Sequence, residues 1–388
     1  MPLFTALPPL SLYIHFPWCI EKCPYCDFNS HAIKTSIPYD EYIDCLLLDL
    51  DYELPSVWGR PIQSIFMGGG TPSLFPPEAI AKLIQALRAR LNFKPDIEIT
   101  LEANPGTVEQ ASFIGFRQAG INRLSIGVQS FNDAMLKKLG RIHNSKQAIK
   151  AIEAAHTADF NSFNIDLMFG LQEQTSKQML SDLQTAIDFQ PPHLSHYQLT
   201  IEPNTLFAVQ PPPLPDDDAL WDMTQQAHAR LAEHHYQQYE VSAFSKSGKV
   251  NQCKHNLNYW QFGDYLGIGA GAHQKITAAN TQSITRTAKQ KHPQHYMQHV
   301  KTQVHITEQH VLKHEDVRFE FMLNVLRLTS GFEIQTFKDN TGMDISSIQA
   351  ILNKAQQNDW LRQDSSHIYP TPLGQQYLND VVTLFLPD

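Results

Sequence analysis

A strand, a loop and a helix recur six times before residue 200, and a chain with that order has few architectures open to it. Leu10 to Phe16, Ser64 to Met67, Ile97 to Glu102, Arg123 to Gln129, Phe163 to Met168 and His193 to Leu199 are short runs rich in strand formers. Between them, Asp40 to Leu54 sets Tyr42, Cys45, Leu46, Leu50 and Leu54 at helical spacing, and Pro77 to Leu91 does the same with Ile80, Leu83, Ile84 and Leu87. A further helix follows the turn at Asn104-Pro105-Gly106, with Thr107 as its expected cap, and another runs from about Ser145 to Ala158. Alternation of this kind predicts an α/β fold, a parallel sheet with right-handed crossovers that closes partly or wholly into a barrel. Chemistry in such a fold sits at the C-terminal ends of the strands. Glu102, Gln129 and Asp166 fall at or near such ends, and the Gly68 to Thr71 loop lies beyond another.

Directly after the first strand, which Pro17 ends, come Cys19, Cys23 and Cys26 in a C-x3-C-x2-C pattern. Thiolate sulfur is a soft ligand suited to iron, and three thiolates on a four-iron cluster leave one iron open to a ligand that carries an amine and a carboxylate. Structural zinc would need a fourth ligand; His15 and His31 are near, but the spacing is not that of a usual zinc knuckle. Three clustered cysteines cannot all pair as disulfides, and Cys45 and Cys253 stand singly, as in a reduced intracellular protein.

The cysteine pattern after Tyr13, together with Met67-Gly68-Gly69-Gly70-Thr71-Pro72, resembles the radical S-adenosylmethionine (SAM) superfamily. The run from Leu12 to His31 is similar to its coproporphyrinogen III oxidase-like branch, which includes heme chaperones as well as oxidases. The resemblance implies a partial (βα)6 TIM-like barrel, a [4Fe-4S] cluster on Cys19, Cys23 and Cys26, and SAM beside it. It places the ligand's amino end on the backbone of Gly69, and Tyr13 at its border. Glu102, a carboxylate at a strand end, suits a ribose diol or an ammonium group. A second SAM site of the branch matches Tyr25, Gly70, Thr71, Gln129, Arg141 and Asp166. Two departures separate this chain from the oxidases: Cys26 is followed by Asp27-Phe28 where they have a fourth cysteine, and only eighteen residues precede Cys19. The expectation is therefore a chaperone that binds heme and passes it to an acceptor protein, with no catalytic residue assigned. The alternative is oxidative decarboxylation of two propionates of coproporphyrinogen III. In the chaperones a His-Asn-x-x-Tyr-Trp run is associated with heme, and here it reads His255 to Trp260. A neutral imidazole is a normal axial ligand, and Tyr259 and Trp260 are suited to pack on a flat macrocycle. Cys253 is a second candidate ligand, ranked lower.

The net charge of −9 speaks against a nucleic-acid partner, for which a basic face is the usual footprint. No basic segment precedes the first apolar run, and no apolar stretch reaches the eighteen or so residues of a membrane span. A cytoplasmic protein is expected, touching a membrane only through its acceptor. Proline-rich Gln210 to Pro215 marks a linker, and Asp216-Asp217-Asp218 suits the start of a helix. Tyr239 to Gln274 reads as a strand-rich closing segment. Its glycine run Gly267 to Gly271 lacks the lysine of a phosphate loop and is read as close backbone packing. From about Glu315 helical stripes precede a hairpin-like stretch, an order similar to a winged-helix domain; with five Lys or Arg against ten Asp or Glu it is a packing or partner surface. The expected division is 1–210 barrel, 211–314 closing segment and 315–388 winged-helix-like domain. Six histidines, at 292, 295, 299, 305, 310 and 314, have spacings that fit no fixed metal site and are read as a solvated surface.

Overall fold

A computed structural model describes residues 3–107, 110–160, 162–246 and 248–387. In chain order, β1 (Leu10–Phe16) leads through two short strands, β2 (Trp18–Cys19) and β3 (His31–Ala32), into α1 (Tyr39–Val57). Then come β4 (Pro61–Gly69), α2 (Pro77–Arg90), β5 (Asn92–Ala103), α3 (Gln110–Ala119), β6 (Arg123–Gln129), α4 (Asp133–Lys138), α5 (Ser145–Thr157), β7 (Ser162–Phe169), α6 (Ser176–Asp188) and β8 (His193–Gln198). Strands β1, β4, β5, β6, β7 and β8 pair in that order, all parallel, as the alternation predicts. Helices α5 and α6 start where capping boxes place them, at Asn144 with Gln147 and at Thr175 with Gln178. The cap expected of the Thr107 side chain lies outside the described residues.

Parallel strands with helices on both faces are usually apolar throughout, whereas these alternate. Leu12, Ile14, Ile65, Ile99, Leu101, Leu124, Ile126, Ile165 and Leu194 join Leu46, Leu83, Ile152 and Leu183 of the helices in one core, each fully buried side chain contributing about 1.5–3 kcal/mol. The intervening residues are polar and pair with one another across the inner face: Ser11 with Ser64 at 2.7 Å, Ser125 with Asp166 at 3.0 Å, and Asn164 with His193 at 2.7 Å. This polar lining leaves room for a site at one end.

Before the linker stands α7 (Leu206–Val209), and after it α8 (Asp217–Glu233), capped by Asp216 through a 2.9 Å bond from the Ala219 N–H. Strands β9 (Gln237–Glu240) and β10 (Ala243–Ser245) extend the sheet antiparallel beyond β8. After α9 (Lys254–Trp260), β11 (Asp264–Ile268) pairs parallel with β1, and β12 (His273–Ala278), β13 (Ser283–Lys289) and β14 (Ile306–Val311) continue from it, with α10 (Pro293–Val300) between the last two. The twelve strands end in β14 on one side and β9 on the other, so the barrel stays open. The glycine run packs backbone on backbone: Gly269 has φ +106° and a Cβ there would fall 3.2 Å from the His15 nitrogen.

A second core gathers Val317, Phe321 and Val325 of α11 (His314–Val325), Phe337 of α12 (Ile334–Thr341) and Leu352 of α13 (Gln349–Gln357), with Phe4 and Phe262 reaching in from elsewhere. A small sheet of β15 (Phe332–Glu333), β17 (His367–Pro370) and β16 (Leu361–Gln363) accompanies these helices. Of the six histidines read as a solvated surface, His305 departs from that expectation. It is fully buried, its Nε2 3.0 Å from Asp49 Oδ1.

Candidate functional site

The loop that carries the three cysteines is tied at both ends. Trp18 and Cys19 pair with His31 and Ala32, so residues 20–30 project from a closed base. Above it the glycine end of β4 keeps pairing past the strand: the Gly70 N–H donates to Phe16 O and the Thr71 N–H to Trp18 O, both at 2.7 Å. A Cβ at Gly70 would meet the Phe16 carbonyl at 2.8 Å, so only glycine allows this approach. Asn29 pins the far side, its Nδ2 donating to Ala270 O and Lys291 O at 2.9 Å each.

Cys19, Cys23 and Cys26 are partly exposed on this loop, while Cys45 and Cys253 are buried. Burial pushes the Cys19 and Cys26 thiols up, and hydrogen bonds, from Thr71 and Ser30 to Cys19 and from Ser30 and the Phe28 backbone to Cys26, work against it. The sulfurs do not crowd together. Among the described residues, the group of three His, Cys, Asp or Glu ligand atoms lying within 4.8 Å of one another is Asp49, Glu53 and His305, not the cysteines. One tetrahedral zinc would draw thiolates to about 3.8 Å apart. Three thiolates on one loop suit a polynuclear cluster with one iron left open.

The cysteines open onto a cavity of about 290 Å³ at the C-terminal ends of the parallel strands. Tyr25, Gly69, Gly70, Thr71, Glu102, Gln129, Arg141 and Asp166 all line it, brought together from the cluster loop, four strands or strand ends and one connection. Asp166 lies inside β7 rather than at its end. Ser125 and Tyr197 line the cavity too and carry no spacing or motif that would single them out; only the inward alternation of β6 and β8 places them there.

Glu102 is pushed up to about 8 by burial and by the neighbouring Asp166, although the Gly69 N–H donates to its Oε2 at 3.1 Å. Burial raises Asp166 as well, against hydrogen bonds from Ser195, Asn164 and Ser125. Arg141 sets its Nη1 3.6 Å from Cys23 Sγ and donates from Nη2 to Gly127 O at 2.8 Å, which puts a cation beside the cluster loop. Gln129 has φ +68°, a costly conformation for a residue with a side chain. Two contacts hold it: the Tyr197 hydroxyl donates to its Oε1 at 2.7 Å, and Asp182 accepts from Ser130 Oγ at 2.5 Å and Phe131 N at 2.9 Å just beyond it.

Tyr13 and His255 do not line the cavity. Tyr13 lies beneath it, its ring 6.4 Å from that of Phe66 and its hydroxyl 3.1 Å from His15 Nδ1. His255 is one layer further down, 8% exposed, with Nδ1 3.2 Å from Ser64 Oγ and its ring 5.1 Å from Phe66. Burial, and secondarily Arg123, hold it down to about 3, so the imidazole is neutral. Helix α9 is seated on Glu98, which accepts from the Lys254 and His255 N–H groups at 3.2 Å and from Cys253 Sγ at 3.5 Å. Trp260 turns the other way, under the Arg327 guanidinium at 4.4 Å. His255 thus packs on Ser64 and Phe66, while Trp260 packs on Arg327 and on Tyr259, whose ring centroid is 5.0 Å away.

Comparison with known proteins accords with this geometry. Residues 13–185 match the family model described as Radical SAM superfamily, and residues 312–377 match the HemN C-terminal domain. The chain is 50% identical to the heme chaperone HemW of Haemophilus influenzae, over 98% of this chain and 99% of the relative, and 49% identical to that of Escherichia coli, over 99% and 100%. The HemW of Bacillus subtilis is 32% identical over 97% and 99%. Among solved structures, coproporphyrinogen III oxidase (HemN) from Escherichia coli superposes with a TM-score of 0.81 at 24% identity, covering 98% of this chain and 90% of that one, a likeness of fold.

Proposed function

Since the chain belongs to the HemW family of heme chaperones, with a radical SAM barrel, we propose that it binds a [4Fe-4S] cluster and SAM in the cavity and takes up heme for an acceptor protein. The observation that carries the reading is the convergence of Cys19, Cys23 and Cys26 with the Gly69 to Thr71 loop and Glu102 on one cavity. We assign the cluster to the three cysteines, and SAM to Gly69 and Glu102 with Tyr13 beneath. Tyr25, Gly70, Thr71, Gln129, Arg141 and Asp166 line the same cavity, and we assign them to the second SAM site of the branch. The cluster would supply the electron that such a cofactor pair needs. We assign residues 1–210 to the barrel, 211–314 to its closing segment and 315–388 to the C-terminal domain, and place the protein in the cytoplasm. No helix among the described residues is long and apolar enough to cross a membrane, and we assign any membrane contact to the acceptor.

Glu102 makes the SAM site pH-dependent. Its ordinary value is 4.5, and burial and Asp166 push it up to about 8. A bound ammonium favours the carboxylate, so binding releases a proton, and affinity for SAM should rise by up to about tenfold per pH unit between 6 and 8, then level. The folded protein pays for the same shift in reverse: as pH climbs from 4.5 to 8 the unfolded chain ionises first, and the stability that Glu102 contributes at low pH is lost. Calorimetric titration of cluster-loaded protein at pH 6, 7 and 8, beside Glu102→Gln, checks this. A pH-independent wild-type affinity would remove Glu102 from the site.

For heme we assign His255 as the axial ligand, reached when α9 lifts from Glu98. The absence of a fourth cysteine after Cys26 favours this over decarboxylase activity. Anaerobic heme titration followed by absorbance should saturate near one heme per chain, with affinity about tenfold or more lower in His255→Ala. Glu98→Gln, which loosens the seat of α9 while keeping His255, should bind heme faster. Equal binding in wild type and His255→Ala would rule out His255, and no saturable binding in either would rule out the chaperone reading.

A further inference from the structure

Beneath the cavity, one cation is sealed inside the barrel without a full partner. Arg123 opens β6, and strand alternation turns it to the same inner face as Ser125, Gly127 and Gln129, while Leu124 and Ile126 enter the core between sheet and helices. It is 2% exposed. Among the described residues its Nε has no hydrogen-bond partner, and the carboxylate oxygen that approaches it, Glu98 Oε2, stands 4.0 Å away, too far for a hydrogen bond. Thr100, its register neighbour on β5, is fully buried, and its Oγ1 also lacks a partner among the described residues. A guanidinium stays charged at any pH a protein meets, and burying it short of acceptors is costly.

Glu98 does not meet that need because it serves α9. Its Oε1 accepts from the His255 N–H at 3.2 Å and from Cys253 Sγ at 3.5 Å, and its Oε2 from the Lys254 N–H at 3.2 Å. One carboxylate thus stands between the start of α9, which carries His255, and the Arg123 guanidinium. Arg123 is near enough to His255 for its charge to help keep the imidazole neutral. Two donors short of acceptors, deep in the barrel and beside the segment that carries an iron ligand, suit a carboxylate brought by the ligand itself. Heme has two such groups, propionates on flexible arms at one edge of the ring. Arginine is the side chain whose planar fork matches a carboxylate.

We propose that Arg123, with Thr100, receives a propionate of heme when His255 takes the iron. The proposal rests on the heme reading above and adds the group that fixes the orientation of the ring. The guanidinium has donors on two edges, enough for Glu98 on one and a propionate on the other. Departure of α9 from Glu98 opens both partners at once, since it frees the imidazole and uncovers Arg123. A porphyrin without charged arms is then a poor ligand.

Heme and its dimethyl ester, which keeps the iron and the ring but neither charge, are titrated anaerobically into cluster-loaded protein in one detergent buffer and followed by absorbance. Wild type should bind heme about tenfold or more tighter than the ester, and Arg123→Met should lose most of that preference by binding heme more weakly. Thr100→Val keeps the shape of the side chain and removes a hydroxyl that has no partner, so it should fold as wild type does and lower the preference about threefold or more. The proposal falls if wild type binds the two ligands alike or if Arg123→Met keeps the wild-type preference; should Arg123→Met fail to fold, Thr100→Val decides in its place. Heme binding that depends on His255 but shows no preference over the ester overturns this proposal alone, whereas no saturable heme binding overturns the reading beneath it as well.

Discussion

Cys23→Ala is expected to lose nearly all cluster iron and sulfide after anaerobic reconstitution, while Cys45→Ala and Cys253→Ala keep wild-type amounts. A cluster held by three protein thiolates has no spare ligand, and among the described residues no fourth cysteine lies at the loop. Cys23 is also the sulfur nearest Arg141, so its loss removes a thiolate and leaves a guanidinium facing the gap. Cys45 and Cys253 are buried among other partners, with Cys45 Sγ 3.7 Å from Met297 O and Cys253 Sγ on Glu98. Iron and sulfide analysis with absorbance reads the outcome. Wild-type iron in Cys23→Ala would move the cluster off this loop.

Lys289→Met should destabilise the fold by about 3–5 kcal/mol, the range found when one partner of a buried charged group is removed. Lys289 is ion-paired with Asp49 and lies 3.1 Å from Glu53 Oε1, and all three are buried. Burial alone would raise the Asp49 carboxyl; the Lys289 ammonium and His305 override it and hold the carboxyl below its usual range. Asp49 also accepts from Tyr296 Oη and, at 2.9 Å, from the Gly269 N–H, so it binds α1 to α10 and to the glycine turn. Ala270 of that turn is where Asn29 anchors the cysteine loop. Loss of Lys289 should therefore also shorten the lifetime of the bound cluster. Urea unfolding of wild type and variant measures the first effect, and the rate of iron release to a chelator the second. A change below about 1 kcal/mol would mean that the network is dispensable.

Several expectations from the linear chain meet in the same place in three dimensions. The strand-end position of Glu102, the glycines after β4 and the cysteines after β1 are local facts, each readable from neighbours in sequence, and the cavity collects them because parallel strands put all their C-terminal ends on one side. Ser125 and Tyr197 are different. They enter the cavity by strand pleat and sheet closure, which no local spacing reports. His305 illustrates the same limit, since its partner Asp49 lies on α1, and a histidine-rich stretch cannot show which of its rings has a buried carboxylate waiting.

The sequence by itself determined the βα order, the three-cysteine loop and the glycine approach to it, because strand periodicity, thiolate spacing and the absence of a Cβ act over a few residues. Only the tertiary structure decided the upward push on the Glu102 carboxyl, the burial of His255 and the meeting of His305 with Asp49. Those depend on desolvation and on contacts between residues far apart in the chain, and both arise only when the sheet curves and the helices pack upon it.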